Sequence, residues 1–367
     1  MSPALSRTLV CLAVVVALQG RMGSGSGAPG VRTNPFGFLA PSIVVSSDDR
    51  ARLDRDQVIA RTLPGPKGQL AVFVATRLNA QPDVLAAWTR AIAELKRSRF
   101  VLAVGRFSDP PRPSDLDGLT LDERDLDALR HCRRGACGLK LSAAEIDALT
   151  AVAAHAGADW RDAIQREFRR LLVARVNQYR VGGLAASSPA ADRSTTETPH
   201  KAFEAIVNES PYLMRTPAVV SWLTGYPHAD AAVESFFYWS KEHYGEGKPV
   251  VSLTHVGIVH SDTDRRLPAV LVASKQIFAT HYVEGGLGLT MVVRDDATGT
   301  TYLAYVNRSQ VDLLRGWFGG LVRSVLEGRL ERHAPQIVRG LRTRLESGAP
   351  PEDPADPFVS LGRTRLR

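Results

Sequence analysis

Between residues 248 and 347 the spacing of apolar positions changes from period two to a helical repeat. Residues 250–260, 269–283, 287–294 and 301–307 are β-type runs joined by short turns, and 295–300 between the last two reads as a hairpin loop. Val311, Leu314, Phe318, Leu321, Val322, Val325 and Leu326 then recur on one face, with Ser309 as N-cap and Asp312 in the capping-box position. Pro335 marks a kink or break before Ile337, Val338, Leu341 and Leu345 continue that face. This order predicts an antiparallel meander closed by a long C-terminal helix.

Upstream, Leu70, Val72, Phe73 and Val74 form a strand-like run after the turn at 64–68. Pro82 opens a segment in which Val84, Leu85, Trp88, Ile92 and Leu95 return at helical spacing. A second β run, 100–107, stops at Asp109-Pro110-Pro111-Arg112-Pro113. From 114 to 247 the pattern is helical, over 122–130, 142–156, 160–179 and 201–208, with Ser142 and Glu145 as a capping box and a Ser/Ala/Thr-rich loop at 185–198. Phe236-Phe237-Tyr238-Trp239 falls in this segment, where it lines a ligand entrance or anchors the insertion. The fold class expected is α+β: a curved antiparallel sheet with a long C-terminal helix, carrying a large helical insertion.

The N-terminus changes the setting. Arg7 precedes an apolar run from Leu9 to Leu18, long enough for a signal-peptide core and too short to span a bilayer. Residues 1–20 are expected to be a signal peptide and 21–48 a flexible linker, which would make the protein extracytoplasmic, periplasmic or secreted. In that compartment Cys132 and Cys137, separated by four residues that include Gly135, read as a local disulfide. The tail 348–367, rich in Pro and charge, is expected to be disordered.

The net charge of +8 comes from 39 Arg against only 7 Lys, interspersed with acidic residues. No basic stretch carries stacking aromatics, so nucleic acid is not an expected partner. Trp317 and Phe318 beside Arg315, Arg323, Arg329 and Arg332 leave membrane-surface contact open. Metal binding is not expected: His228/Asp230, Glu242/His243 and Asp262/Asp264 are pairs without the three or four ligands a metal needs. There is no nucleophile elbow, phosphate loop or dinucleotide fingerprint, and no cofactor or catalytic residue is assigned.

In the run 274–282, alternation places Lys275, Ile277, Ala279 and His281 on one side and Ser274, Gln276, Phe278, Thr280 and Tyr282 on the other. Lys275, His281 and His255 are candidates for binding an anionic head group or for acid–base work.

The strand Leu70 to Arg77 leading into Pro82-Asp83-Val84-Leu85-Ala86-Ala87-Trp88, and the strand Tyr302-Leu303-Ala304-Tyr305-Val306-Asn307 leading into the helix at Ser309, together resemble the helix-grip architecture of START-related lipid-transfer domains. About half the chain is covered, in two blocks, and the chain is also similar to a group of exported bacterial proteins. The resemblance implies a helix-grip-like domain from 49–113 and 248–347, interrupted by the insertion at 114–247. It further implies a small apolar or amphipathic, lipid-like ligand held between sheet and terminal helix, with Lys275, Ile277, His281, His255, Tyr305, Leu314, Phe318 and Leu321 around it. The alternatives are a hydrolase- or isomerase-type enzyme using Lys275, His281 and His255, and an envelope scaffold that docks through the helical insertion.

Overall fold

The structure is a computed structural model and describes residues 34–193, 198–228, 233–243, 247–261, 264–316 and 319–351, with backbone only at 319 and 321. The expected signal peptide, 1–20, and most of the tail expected to be disordered lie outside these residues. Eight strands, β1 (Ile59–Leu63), β2 (Gln69–Leu78), β3 (Val101–Arg106), β4 (Glu234–Glu242), β5 (Val250–His260), β6 (Val270–Ala279), β7 (Val283–Asp295) and β8 (Thr300–Val311), pair antiparallel in the order β1-β2-β8-β7-β6-β5-β4-β3. Register shifts at Leu253/Thr254, Val101/Ala103 and Val283/Gly285 add local bend and twist.

The sheet is covered on both sides, so each strand alternates between two separate cores. One side carries α2 (Asp83–Arg90), α3 (Ile92–Lys96) and the terminal α9 (Gly319–Glu346), packed through Leu85, Trp88, Ile92, Ala334, Val338 and Leu345. The other carries α1 (Ser47–Asp54), α4 (Glu123–Arg130), α5 (Ala143–His155), α6 (Trp160–Gly182), α7 (Pro199–Asn208) and α8 (Pro217–Gly225). The architecture is therefore α+β, with the long terminal helix and the helical insertion on opposite sides of one curved sheet.

Curvature brings both sheet edges to α9. Thr62 on edge strand β1 donates to Glu331 at 3.4 Å, while just before edge strand β3 Phe100 meets His333 edge-on at 6.0 Å and Arg99 donates to Gln336 at 3.2 Å. A flat eight-stranded sheet, with strands about 4.8 Å apart, would hold its edges too far apart for residues two to five positions apart on one helix to touch both.

Several boundaries differ from the sequence reading. β4 lies inside the segment expected to be wholly helical, and it is the aromatic run itself: Phe236 and Tyr238 face α2 and α3, while Phe237 and Trp239 face the insertion. With both faces buried, the polar–apolar alternation that marks a half-exposed strand vanishes. Residues 34–48 of the expected linker are packed: Phe36, Leu39, Ile43 and Val45 are buried, Phe36 lies 5.4 Å from the Tyr302 ring, and Ser46 with Asp49 makes the capping box of α1. Ser309 is not a helix cap, because β8 continues through it to pair with both β2 and β7. Leu314 accordingly belongs to a short 3-10 turn rather than to the helix. Pro335 does not break α9, which is helical on both sides of it.

Cys132 and Cys137 are bonded. They close a turn in which Gly135 takes φ +76°, and that turn holds the segment after α6 through Gly135 N–H to Ala191 O (2.7 Å) and Cys137 N–H to Asp192 O (3.2 Å). Replacing both cysteines by serine is expected to lower stability by about 2 kcal/mol, the loop-closure value for so short a ring. A urea titration of the double variant checks this.

Candidate functional site

The sheet face toward α9 is divided. At one end Val72, Val74, Val256, Ile258, Val270, Val272, Val292 and Leu303 are buried under α2 and the later turns of α9. At the other end the positions of the same alternation are polar. Cross-strand rows run Tyr238–Thr254–Gln276–Gly286–Ser309 and Val256–Ser274–Gly288–Asn307, with Thr290 opposite Tyr305. A face built only to receive helices has no reason to change character halfway across, since an unpaired buried polar group costs on the order of 1–3 kcal/mol.

Ser274, Gln276 and Thr290 are half-buried in the middle of the sheet. Among the described residues their side chains have no hydrogen-bond partner, and none of their polar atoms is sealed from solvent. Among the described residues, the helices thus cover this part of the concave face less completely than the apolar half, as a polar-floored hollow. Two glycines make room for these polar side chains. A Cβ at Gly286 would meet Gln276 Oε1 at 2.8 Å, and one at Gly288 would meet the Tyr305 hydroxyl at 3.6 Å. Leu70 is half-buried beside Ser309, and Leu326 and Leu330 on α9 are also half-buried, supplying apolar surface.

The charged group of the hollow is a closed pair. Lys96 at the end of α3 forms an ion pair with Glu242, whose Oε1 also accepts from Ser240 Oγ at 2.7 Å, and Ser240 Oγ lies 3.1 Å from Ser252 Oγ. Lys96 Nζ also reaches the Tyr238 hydroxyl at 3.5 Å and lies 5.3 Å from that ring's centre. Burial by itself would depress the Lys96 amine, but the adjacent Glu242 carboxylate overrides it and holds the amine above the ordinary lysine range. Tyr305 is pushed up to about 12, first by burial, so it stays a neutral hydroxyl, hydrogen-bonded toward Asn307. Asn307 in turn accepts from Ser309 Oγ at 3.0 Å.

Of the residues singled out from the sequence, Tyr305 faces this hollow. Leu314 is buried at the foot of a separate open cleft, formed by Leu63, Pro64 and Lys67 of the β1–β2 turn with Arg323 and Glu327 of α9. Phe318, like Trp317, lies outside the described residues, as does the Leu321 side chain. Lys275, Ile277 and His255 are on the opposite side of the sheet, facing the insertion. Lys275 donates to Leu223 O at 2.6 Å, lies 4.5 Å and 5.4 Å from the ring centres of Phe203 and Tyr179, and is pulled down to about 7 by burial.

Its cross-strand neighbour His255 receives the Tyr179 hydroxyl at 3.2 Å, stacks on Phe237 at 4.2 Å, and is held well below its ordinary value by burial and by Lys275. Its Nε2 is sealed from solvent without a hydrogen-bond partner. His281 lies beyond the end of β6, where its Nε2 meets Asp125 at 3.0 Å, and Asp125 also receives Lys248 at 2.9 Å. The three groups proposed for acid–base work thus form a core cluster of two and a separate hydrogen-bonded contact with Asp125, not a common site.

Sequence reasoning missed Lys96, and it named Tyr238 only within the aromatic run and Glu242 only beside His243, because the helix and strand that bring the three together belong to different segments of the chain. It did separate Ser274 and Gln276 from Lys275 and Ile277 by alternation, but assigned the latter set to the ligand. Nothing in a run whose two sides are both covered marks which side meets the terminal helix.

No family model matches the chain, and no curated protein matches it. Among solved structures, the crystal structure of TTHA0849 from Thermus thermophilus aligns over 41% of this chain and 92% of its own, at 12% identity and a TM-score of 0.24. At that score the likeness carries no argument about the fold or the activity of this chain.

Proposed function

We propose that the chain binds a small amphipathic molecule in the hollow between the concave sheet and α9. The observation that carries this reading is the change of the α9-facing surface from a packed apolar half to a half-buried polar half whose hydroxyl and carboxamide groups at Ser274, Gln276 and Thr290 have no protein partner among the described residues. A ligand spanning that boundary would bury its apolar part against Leu70, Leu326 and Leu330 and pair its polar part with the floor. An extracytoplasmic setting fits the short apolar N-terminal run and the Cys132–Cys137 bond.

Native mass spectrometry of protein purified from its own host is expected to give an adduct that is lost in Ser274→Trp, where an indole occupies the floor. Adduct-free spectra for both proteins, with decyl-chain amphiphiles also failing to bind the unaltered chain, would overturn the reading.

A further inference from the structure

The charge balance of the hollow narrows the ligand class, on the footing of the binding role just proposed. Only one cation and one anion, Lys96 and Glu242, face this part of the floor among the described residues, and each is already spent on the other. The groups left open are neutral: the hydroxyls of Ser274 and Thr290 and the carboxamide of Gln276, with the Tyr305 hydroxyl and Asn307 beside them. Each hydroxyl both donates and accepts, and the carboxamide offers one acceptor and two donors. They are spread over β6, β7 and β8, in successive rows that cross β7 at Gly286 and Gly288, where the missing side chains leave room for Gln276 and Tyr305. Such a grid suits a head group with several hydroxyls on a rigid frame and offers no unpaired charge to a carboxylate, phosphate or ammonium, which would leave its solvation uncompensated.

We infer that the ligand is an amphiphile with an uncharged, polyhydroxylated head, a glycosyl or polyol group, seated on Ser274, Gln276, Thr290 and Asn307 with its apolar tail toward α9.

The test holds the tail constant and varies the head. Decyl maltoside, decanoate and decyltrimethylammonium are titrated into the full chain below their micelle concentrations, with binding read by calorimetry. Decyl maltoside is expected to bind about tenfold tighter than either charged amphiphile. The double variant Gln276→Leu with Asn307→Leu should lose about tenfold for decyl maltoside, the worth of two neutral hydrogen bonds, and keep its affinity for decanoate. If decanoate or decyltrimethylammonium binds as tightly as the maltoside, or if the double variant weakens all three equally, the head-group assignment is overturned while the binding role stands. If none of the three binds, both fall.

Discussion

Lys275→Met stabilises the protein, and the gain is largest at and below neutral pH. The Lys275 amine sits at about 7 in the folded chain against an unfolded value near 10.5, burial being the cause. Below pH 7 both states carry the proton, and the folded state bears the full cost of a buried cation. Between about pH 7 and 10 the unfolded chain binds the proton and the folded chain does not, so stability of the unaltered protein rises with pH, by an amount on the order of 4 kcal/mol. Methionine fills the same volume beside Phe203 and Tyr179 without a charge. At pH 6 we expect the variant to be about 1–4 kcal/mol more stable, with a flatter profile from pH 7 to 10. Tyr179 and Tyr305 titrate above that window, because burial raises both. Chemical denaturation of both proteins at pH 6, 8 and 10 checks this. Parallel profiles would mean that the amine is hydrated and that the insertion does not seal this face.

Lys96→Met has the opposite effect. Glu242 is 7% exposed and would lose its only cation while keeping the Ser240 hydroxyl, which does not balance a charge. Breaking a buried pair from one side costs about 3–5 kcal/mol, and that loss is expected in the denaturation midpoint. Lys96→Met combined with Glu242→Gln should recover most of it, since neither charge is then stranded. The coupling between the two sites in the double-mutant cycle should therefore be large, about 2 kcal/mol or more. A single-variant cost below about 1 kcal/mol would show the hollow to be open enough for water to screen the pair, and would remove the premise that the floor presents no free charge.

The sequence made the C-terminal meander legible because its turns are short and its strands follow one another: β5, β6, β7 and β8 are consecutive in the chain and adjacent in the sheet. Capping chemistry was equally local, and the Ser142–Glu145 box forms as its spacing predicts. β4 escaped, because Phe236 to Trp239 serve two cores at once. The packed residues 34–48 escaped because their partners, such as Tyr302 for Phe36, are more than 250 positions away. Tyr305 lies on the α9 side of the sheet although the helix expected at Ser309 does not start there, whereas Lys275 and His255, singled out for their chemistry, lie on the opposite side.

What the chain determines by itself is therefore its class, the run of consecutive strands β5 to β8 and the local disulfide, which depend on residues close to one another in sequence. Which surface of the sheet receives α9, and hence whether Ser274 and Gln276 or Lys275 and Ile277 face the hollow, was decided only by the tertiary structure. Strand alternation defines two sides but does not label them. The label comes from curvature that brings β1 and β3 round to α9 while the insertion fills the opposite side, and both depend on contacts between residues far apart in sequence.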